Sequence, residues 1–356
     1  MHMADALISP AVGGTLWIVS GGMLVFCARK VKQLAQDNLV PLMGMLGAFV
    51  FAAQMINFTI PGTGSSGHLG GGLILTLLLG PYAAFLVIAS VLTVQAFFFA
   101  DGGLLALGCN IFNLGFFPAF VAYPLIYRPL AGKQQGTLRA RVATLVAAIA
   151  GLQLGALSVV LQTLASGISE LPFVTFAAMM LPIHLAIGVV EGVATVAVVA
   201  VVARARPEAL CVASAAPVSL RMRPLLAGLA IATVVLGGLA SWFASTHPDG
   251  LEWSIAHVTG KEEVSASESG LHKGLAGIQE KTALMPDYGF KPVADEATTV
   301  AEPWPAISAG TSLSGLVGGV LTLALACLAG FLLRLGSRRR MGKKSYCPNA
   351  SDGKSC

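Results

Sequence analysis

The stretch GGLILTLLLGPYAAFLVIASVLTVQAFFFA, residues 71–100, decides how the chain folds. It is either one kinked membrane span or two helices that separate at Gly80-Pro81, because proline cannot continue the hydrogen-bond ladder of a helix. If the stretch crosses a membrane twice, most of the 22 lysine and arginine residues fall on a single side, as the positive-inside rule requires of the cytoplasmic side. The sequence therefore predicts two helices here. The first, near 69–80, is roughly 17 Å long and too short to cross alone, and such short helices mark binding sites in transporters.

The composition is that of a protein surrounded by lipid. Hydrophobic residues make up 55% of the 356 residues and charged residues 11%, against about 25% charged in ordinary soluble domains, and the mean hydropathy is +0.78. The net charge of +5 does not indicate nucleic-acid binding, because the basic residues lie in short loops and not on one face. Besides 71–100, apolar runs long enough to cross about 30 Å of hydrocarbon lie at 9–28, 41–57, 104–127, 142–165, 173–203, 224–244 and 312–335.

These runs predict an all-α integral membrane protein of the bacterial inner membrane with nine spans, its N-terminus outside and its C-terminus inside. The expected organisation is a seven-span bundle (1–206), a cytoplasmic linker (207–223), a two-helix hairpin (224–340) and a cytoplasmic tail (341–356). The hairpin carries an acidic, polar extracytoplasmic loop, 245–311, which is expected to be structured at most in part.

Metal-binding chemistry is predicted at the start of the chain. The segment MHMADALISP (1–10) and the loop PGTGSSGHLGGG (61–72) lie on the same outer side in this topology. With no lysine or arginine before Arg29, the start does not look like a removable targeting segment. The Met1 amine, the amide nitrogen of His2 and its imidazole Nδ1 can close two chelate rings around one ion. A fourth nitrogen from His68 would complete the square that nitrogen donors give Ni(II) or Cu(II).

Other interpretations of these residues remain open. Exposed histidines are ordinary, so either histidine alone favours a surface position. The alternative from another class is an intramembrane serine hydrolase that uses Ser65 or Ser66 with His68, although an orienting acid and an oxyanion site are not evident. A third hypothesis is a binding component for an organic vitamin, which would need aromatic residues instead. The glycine pattern GTGSSG (62–67) lacks the strand and helix of a nucleotide site, and the chain is not expected to bind ATP.

The chain resembles the substrate-binding (S) component of the cobalt/nickel branch of energy-coupling factor (ECF) transporters. The matching stretches are MHMADALISP, GSSGHLGGGL, LLGPYAAFLVIASVLTVQAFFFADGGLLALGCN (78–110) and HLAIGVVEG (184–192). The resemblance implies an S-component-like seven-helix bundle that transports Ni²⁺ or Co²⁺ as its substrate. The family's ligands fall on the Met1 amine, His2 and His68.

The second half resembles the small two-span partner subunit of these transporters. HPDGLEWSIAHVTG (247–260) and PDYGF (286–290) carry this resemblance. The two subunits are therefore expected to be fused, an arrangement that leans slightly toward nickel. The resemblance also implies a transmembrane T component and two cytoplasmic ATPase subunits as partners, which would supply the energy.

Further residues are candidates for supporting the metal ligands or for contacting another subunit. Glu191 lies within the span 173–203, where an ionised side chain costs about 2.5–3.5 kcal/mol and needs a partner. His184 lies on the same helical face, so the pair is expected to form a polar network under the metal site or a contact to the T component, or to join helices. Asp5 and Ser66 belong to the stretches that match the family. Solvent exposure is expected for the histidines of the acidic loop, which are His247, His257 and His272.

Two smaller expectations concern packing and turns. Asp101 and Asn110 match positions of the family, but a turn and a buried hydrogen bond explain them equally well. The spacing Gly315-xxx-Gly319 predicts close packing of the last span against another helix.

Overall fold

The computed structural model describes residues 2–34, 39–132, 137–205, 222–261, 264, 270–291 and 304–344. Met1, most of the predicted linker 207–223 and most of the tail 341–356 lie outside these residues. The described chain is almost entirely helical, and six of its helices are long and apolar enough to cross a membrane. Each of the nine predicted spans corresponds to a helix, although three of these helices are shorter than a full span. The orientation of the bundle in the membrane stays a prediction.

The first half of the chain contains eight α-helices, one π-helix and a small β-hairpin within its described residues. The strands β1 (Phe58–Ile60) and β2 (Ser65–Gly67) are antiparallel, with Thr59 opposite Ser66. This hairpin was not anticipated from the sequence. The helices are α1 (Pro10–Leu34), α2 (Leu39–Gln54), α3 (Gly72–Leu79), α4 (Pro81–Phe98), α5 (Leu107–Ile111), a π-helix (Phe112–Tyr127), α6 (Arg128–Ala131), α7 (Leu138–Ser166) and α8 (Phe173–Ala205).

The predicted break at Gly80-Pro81 is confirmed. Gly80 has φ 79° and ψ 161°, a conformation that only glycine adopts readily, and Pro81 begins α4 where its missing N–H costs nothing. Helix α3 has only 8 residues, all buried, and at about 12 Å it cannot cross a membrane. It lies inside the bundle and directly follows the loop that carries His68.

The second half packs its two long helices against the first half. These are α9 (Met222–Gly238) and α12 (Ala309–Lys344). A Cβ on Gly315 would clash with the backbone of Gly237, whereas a Cβ on Gly319 would lie 3.5 Å from the Thr233 side chain, an ordinary contact distance. The close packing predicted from the glycine spacing in the last span is therefore confirmed at Gly315 and not at Gly319.

The acidic loop between these helices is ordered over its described residues. It contains α10 (Gly250–Thr259) and α11 (Gly270–Thr282). Helix α10 begins with a capping box, in which Asp249 accepts from the backbone of Leu251 and Glu252 while Glu252 accepts from the Asp249 N–H. Such a box stabilises the first turn of a helix.

One expectation about this loop is wrong. His247 and His257 are exposed, as predicted, but His272 is 8% exposed and its Nε2 lies 2.9 Å from the carbonyl oxygen of Ile8. Helix α11 covers the N-terminal segment and so removes this ring from solvent. The N-terminal segment, the β-hairpin, the turn at 99–106 and the acidic loop consequently lie together at one end of the bundle.

Candidate metal site

The rings of His2 and His68 meet at this end of the bundle. Their centroids are 4.9 Å apart and the ring planes are nearly parallel, at 18°. The predicted ligands from two distant parts of the sequence are therefore neighbours. Met1, the third predicted ligand, lies outside the described residues.

The chain around His2 is fixed by its neighbour Met3. The Met3 N–H donates to Asn110 Oδ1 at 2.8 Å, and the Met3 carbonyl accepts from Gly103 N–H at 2.9 Å and from Asn110 Nδ2 at 3.2 Å. The Met3 side chain is fully buried. The expected buried hydrogen bond of Asn110 thus anchors the segment that carries His2 to the start of α5.

Asp5 has a similar anchoring role. Its Oδ1 accepts from the Ala106 N–H at 2.9 Å, and burial raises the pKa of its carboxyl group. Asp5 therefore holds the N-terminal segment against the turn that precedes α5, and it supports the ligand segment as a whole.

The His2 ring is paired with a carboxylate. Its Nδ1 lies 2.8 Å from Asp101 Oδ1, and Asp101 Oδ2 accepts from the Tyr288 hydroxyl at 2.5 Å. Burial alone would raise the pKa of Asp101, but His2 and the Tyr288 hydroxyl lower it to about 2. Burial and the Asp101 charge raise the pKa of Tyr288. Asp101 is therefore ionised at neutral pH, while Tyr288 keeps its proton.

This pairing bears on the predicted chelate, which stays a prediction. The six-membered chelate ring needs Nδ1 of His2, which in this structure faces Asp101. The other nitrogen, Nε2, is buried without a hydrogen-bond partner among the described residues. In the observed rotamer the nitrogen of His2 that can bind a metal is therefore Nε2, and binding through Nδ1 would require the ring to turn away from Asp101.

His68 follows β2 directly and has a nitrogen oriented by the backbone. Its Nδ1 lies 3.0 Å from the carbonyl oxygen of Leu69, which can only accept, so Nδ1 carries the proton. Burial lowers the pKa of His68 to about 3. The ring is consequently neutral at pH 7, the form that binds a metal ion.

The loop after His68 is held by buried polar side chains. The Gly70 N–H donates to Glu191 Oε2 at 2.9 Å, and the Gly70 carbonyl accepts from Gln54 Nε2 at 2.8 Å. Glu191 also accepts from the Gly71 N–H. The partner that Glu191 was expected to need is thus the backbone of this loop. A polar network that includes His184, or a contact to a T component, stays a prediction.

The second half of the chain holds the other side of this loop. The Ser66 N–H donates to the Pro248 carbonyl at 2.8 Å, and the Ser66 hydroxyl donates to the His247 carbonyl at 2.7 Å. The Trp253 indole donates to the Thr63 carbonyl at 2.9 Å. Ser66 thus contacts the fused partner domain and does not face the two imidazoles as a ligand would.

His184 lies beside a small cavity next to His68. Its Nδ1 lies 2.8 Å from the carbonyl oxygen of Met180 in its own helix, and its buried Nε2 has no hydrogen-bond partner among the described residues. The cavity has a volume of about 10 Å³ and is lined by both histidines and by Asp249, which is room for roughly one water molecule or ion.

The geometry contradicts the serine hydrolase alternative. Ser65 and Ser66 are both 0% exposed. The Ser65 hydroxyl contacts the Thr63 hydroxyl at 2.9 Å, while that of Ser66 is directed to the His247 carbonyl. A nucleophile needs to reach its substrate and its base, and neither hydroxyl is placed to do so.

The site is a pair of imidazoles enclosed by both halves of one chain. Over the residues that the structure describes, no group of three or more His, Cys, Asp or Glu side chains is arranged to hold a metal ion. The fold around this pair is that of a multi-pass membrane protein whose polar site is enclosed at one end of an apolar helix bundle.

Comparison with known proteins identifies the class. Residues 2–209 match the family described as the cobalt uptake substrate-specific transmembrane region, and residues 223–335 match the PDGLE domain. The chain therefore belongs to the cobalt uptake substrate-specific transmembrane family, with a PDGLE domain fused behind it. The resemblance expected from the sequence, including this fusion, is confirmed.

Individual relatives agree with this assignment. The fused nickel transport protein NikMN of Rhodobacter capsulatus is 30% identical over 339 residues, which cover 91% of this chain and 95% of that protein. The cobalt transport protein CbiM of Geobacter sulfurreducens is 28% identical over 214 residues, covering 59% of this chain and 61% of that protein. A crystal structure of a transition metal transporter has a TM-score of 0.51 at 29% identity and covers 60% of this chain and 96% of its own. The chain is thus a membrane transport protein and not an enzyme.

The sequence pointed less clearly to the residues behind the ligands. From the sequence, a turn explains Asp101 as well as a family position does, although a carboxylate near a histidine is a common support of a metal ligand. Tyr288 and Asp249 lie in PDYGF and PDGLE, which indicated the partner domain but not its contact with the site. Only the packing of the second half onto the first brings them there.

Proposed function

We propose that this chain is the substrate-capture subunit of an ATP-driven ECF importer for a divalent transition metal. It binds Ni²⁺ or Co²⁺ at the end of the bundle where His2 and His68 meet. A transmembrane T component and two cytoplasmic ATPase subunits then drive its delivery inward. The observation that supports this function best is the contact between the two predicted imidazole ligands, at 4.9 Å between ring centroids, in a site closed by the fused PDGLE domain.

The proposed ligands are the imidazoles of His2 and His68 together with the amine of Met1. Two imidazoles and an amine are nitrogen donors of the kind that Ni²⁺ and Co²⁺ accept. An α-amine has a pKa of about 7.7–8.0 in model peptides. Metal binding then displaces a proton from it and weakens in acid.

Nickel is the favoured substrate of the two. For a given set of nitrogen ligands, Ni²⁺ binds more tightly than Co²⁺ in the usual affinity order. The fused architecture is shared with a protein named for nickel transport over 95% of that protein's length. The relative named for cobalt is matched over only part of its own length.

The N-terminal segment acts as a plug that closes over the ion. Its attachments are the bonds of Met3 to Asn110 and of Asp5 to Ala106, all at the outer end of α5. Release of the ion requires these bonds to open when the subunit docks onto the T component. The metal is a passenger in this scheme and undergoes no reaction.

Calorimetric titration of the purified full chain with Ni²⁺ and with Co²⁺ tests metal capture directly. We expect saturable binding of one ion, with Ni²⁺ the tighter. A variant with one glutamine inserted between Met1 and His2 tests the amine, because methionine is retained before a bulky residue but removed before alanine. The insertion should abolish tight binding, whereas His257→Ala, at an exposed position, should bind as the wild type does.

Metal uptake into cells that also express a T component and its ATPases tests the coupling. Uptake that requires an intact ATPase supports the importer, and equal uptake with an inactive ATPase contradicts it. Wild-type binding by the glutamine-insertion variant would remove the amine from the ligand set while leaving transport itself in place.

A further inference from the structure

A crevice lies between α7 and α8 at the end of the bundle away from the two proposed imidazole ligands. It has a volume of about 20 Å³. Its lining consists of Tyr127, Ala140, Arg141, Thr144, Val196, Val199, Ala200 and Ala203. Helix α8 also lines the cavity beside His68, at Ile187, and the crevice begins about 14 Å further along this helix and ends at about 24 Å. The crevice and the candidate metal site are therefore separate.

The crevice opens on the surface of the bundle that faces lipid. Val142 and Val201, which follow the lining residues Arg141 and Ala200, are 50% and 66% exposed. Both helices are long and apolar enough to cross a membrane, so such exposed valines contact acyl chains. Inside the crevice, the Thr144 hydroxyl donates to a carbonyl of its own helix at 2.9 Å. The walls thus offer an apolar surface of the kind that an acyl chain contacts.

The charged residues at this end of the three helices that form the crevice are all basic. The exposed arginines are Arg128, Arg139, Arg141 and Arg204. No aspartate or glutamate occurs in the stretches 120–132, 137–155 and 192–205. The Arg139 side chain donates to two backbone carbonyls of α6. The guanidinium of Arg141, the one charged group of the lining, has no hydrogen-bond or ion-pair partner among the described residues.

We propose that the crevice binds one anionic phospholipid, from the leaflet that the positive charge predicts to be cytoplasmic. The guanidinium of Arg141 contacts the lipid phosphate, a group that arginine binds with two parallel hydrogen bonds. One acyl chain packs along Val196, Val199 and Ala200. Basic pockets between membrane helices bind anionic headgroups in this way.

The surroundings of Arg141 favour this ligand over two related ones. A zwitterionic lipid fits less well, because the stretches around the crevice contain no carboxylate to pair with its ammonium group. Free phosphate would leave the apolar walls without a partner. The proposal involves neither the metal nor its ligands, so it does not depend on the proposed function.

The test of the headgroup contact is native mass spectrometry of the full chain with phosphatidylglycerol and with phosphatidylcholine that carries the same dioleoyl chains. We expect one phosphatidylglycerol per chain to bind more tightly than phosphatidylcholine, and an excess of inorganic phosphate should not displace it. Arg141→Gln should weaken phosphatidylglycerol binding about fivefold, the effect of one basic residue near a lipid surface. Arg29→Gln is the matched control, since Arg29 is an exposed charge on the same predicted side and does not line the crevice.

The walls of the crevice are tested separately by Ala200→Leu, which fills the space of the acyl chain. This variant should also bind phosphatidylglycerol at least about fivefold more weakly. Ala197→Leu, at an exposed position of the same helix, should bind as the wild type does. Thermal unfolding without added lipid should give the wild-type temperature for Arg141→Gln, because its guanidinium has no described partner to lose.

Several outcomes would overturn the proposal. Equal affinities for the two lipids would do so, as would equal losses in Arg141→Gln and Arg29→Gln, because the arginines would then attract lipid only as general positive charge. Wild-type binding by Ala200→Leu would mean that no acyl chain occupies the crevice. Displacement of the lipid by inorganic phosphate would assign Arg141 to a free anion, and a dimer that Ala200→Leu dissociates would assign the crevice to a second copy of the chain.

Discussion

The Nδ1 of His2 faces a side-chain carboxylate, whereas the Nδ1 of His68 faces a backbone carbonyl. The ring of His2 is fixed by the carboxylate of Asp101, and this carboxylate is fixed by the hydroxyl of Tyr288. The Nδ1 of His68 meets a backbone carbonyl, that of its own neighbour Leu69. The loop on which His68 stands is itself held by further contacts.

The supports of that loop come from both halves of the chain. Glu191 and Gln54 hold Gly70 from the side of the bundle, and Pro248 pairs with the backbone of Ser66 from the side of the PDGLE domain. The orientation of His2 can therefore be altered by changing single atoms of the side chains of Asp101 and Tyr288. The position of His68 depends on a segment that moves as a unit, so changes there alter stability along with affinity.

The largest effects are expected for the two proposed ligands themselves, and these effects distinguish the two ways in which the rings are held. His2→Ala and His68→Ala should each weaken Ni²⁺ binding more than about 100-fold, since loss of a supporting residue alone costs about 10–100-fold. Only His2→Ala leaves the ionised Asp101 without its main partner. That variant should also lose about 1–3 kcal/mol of stability.

Calorimetric titration measures the affinities of these two variants, and thermal unfolding of the metal-free proteins in detergent measures their stability. His257→Ala serves as the control for both. Equal unfolding temperatures for the two alanine variants would contradict the difference in how the rings are held. Retention of binding by either variant would remove that histidine from the ligand set.

The next largest effect is expected at Glu191. Glu191→Gln replaces a carboxylate oxygen near the backbone N–H groups of Gly70 and Gly71 by an amide of the same shape, which has fewer acceptor sites and no charge. We expect a loss of about 1–3 kcal/mol of stability and roughly 10-fold weaker Ni²⁺ binding, because the loop carries the proposed ligand His68.

Hydrogen exchange at Gly70 and Gly71 should become faster in Glu191→Gln, and this measurement distinguishes loosening of the loop from a distant effect. Glu280→Gln is the matched control, since Glu280 is exposed on α11 and a surface change of this kind stays within about 0.5 kcal/mol. Unchanged exchange at the two glycines together with weaker binding would show that Glu191 acts on the site by another route.

A smaller effect is expected at Ser66, because its backbone bond is expected to hold the loop more than its hydroxyl does. Ser66→Ala removes the hydroxyl that donates to the His247 carbonyl but keeps the N–H bond to Pro248 at 2.8 Å. Stability should fall by about 1 kcal/mol, and Ni²⁺ affinity should change by less than about threefold. Thermal unfolding and titration of this variant beside Ser66→Gly, which also lacks the hydroxyl, measure both. A tenfold loss of affinity would show that side chains and not the backbone position His68.

Much of the fold could be predicted from the sequence because its signals are local. Apolar length indicated the long helices, and the Gly80-Pro81 break followed from the missing proline donor. The spacing of Gly315 and Gly319 likewise indicated helix packing. His2 and His68 are predicted as ligands from the chelating nitrogens at the start of the chain and from two short stretches that match a family, and this stays a prediction.

The supports of the site could not be predicted in the same way, because each depends on a contact between distant parts of the chain. Glu191 was expected to need a partner, but that partner is the backbone N–H of Gly70, and no residue type in the sequence indicates which backbone group a distant carboxylate will contact. His272 was expected to be solvated because its own loop is polar, and only docking of α11 on Ile8 buries it. Tyr288 lies 187 positions from Asp101 in the sequence, and its role appears only when the two halves are packed together.

The smallest expected effect concerns His68, whose imidazole should not take up a proton near neutral pH. This prediction tests how tightly the loop encloses the ring. Because burial lowers the pKa of His68 to about 3, against about 6.5 in model peptides, the ring stays neutral between pH 8 and about pH 4 in the folded protein. In the unfolded chain the ring takes up a proton below about pH 6.5, so this group lowers stability progressively as the pH falls from there. Nuclear magnetic resonance of histidine-labelled, metal-free protein should show one imidazole, assigned by its loss in His68→Ala, whose shift does not move over this range. A resonance that titrates near pH 6.5 would mean that the loop opens to water, and the backbone would then hold His68 less firmly than the Asp101–Tyr288 pair holds His2.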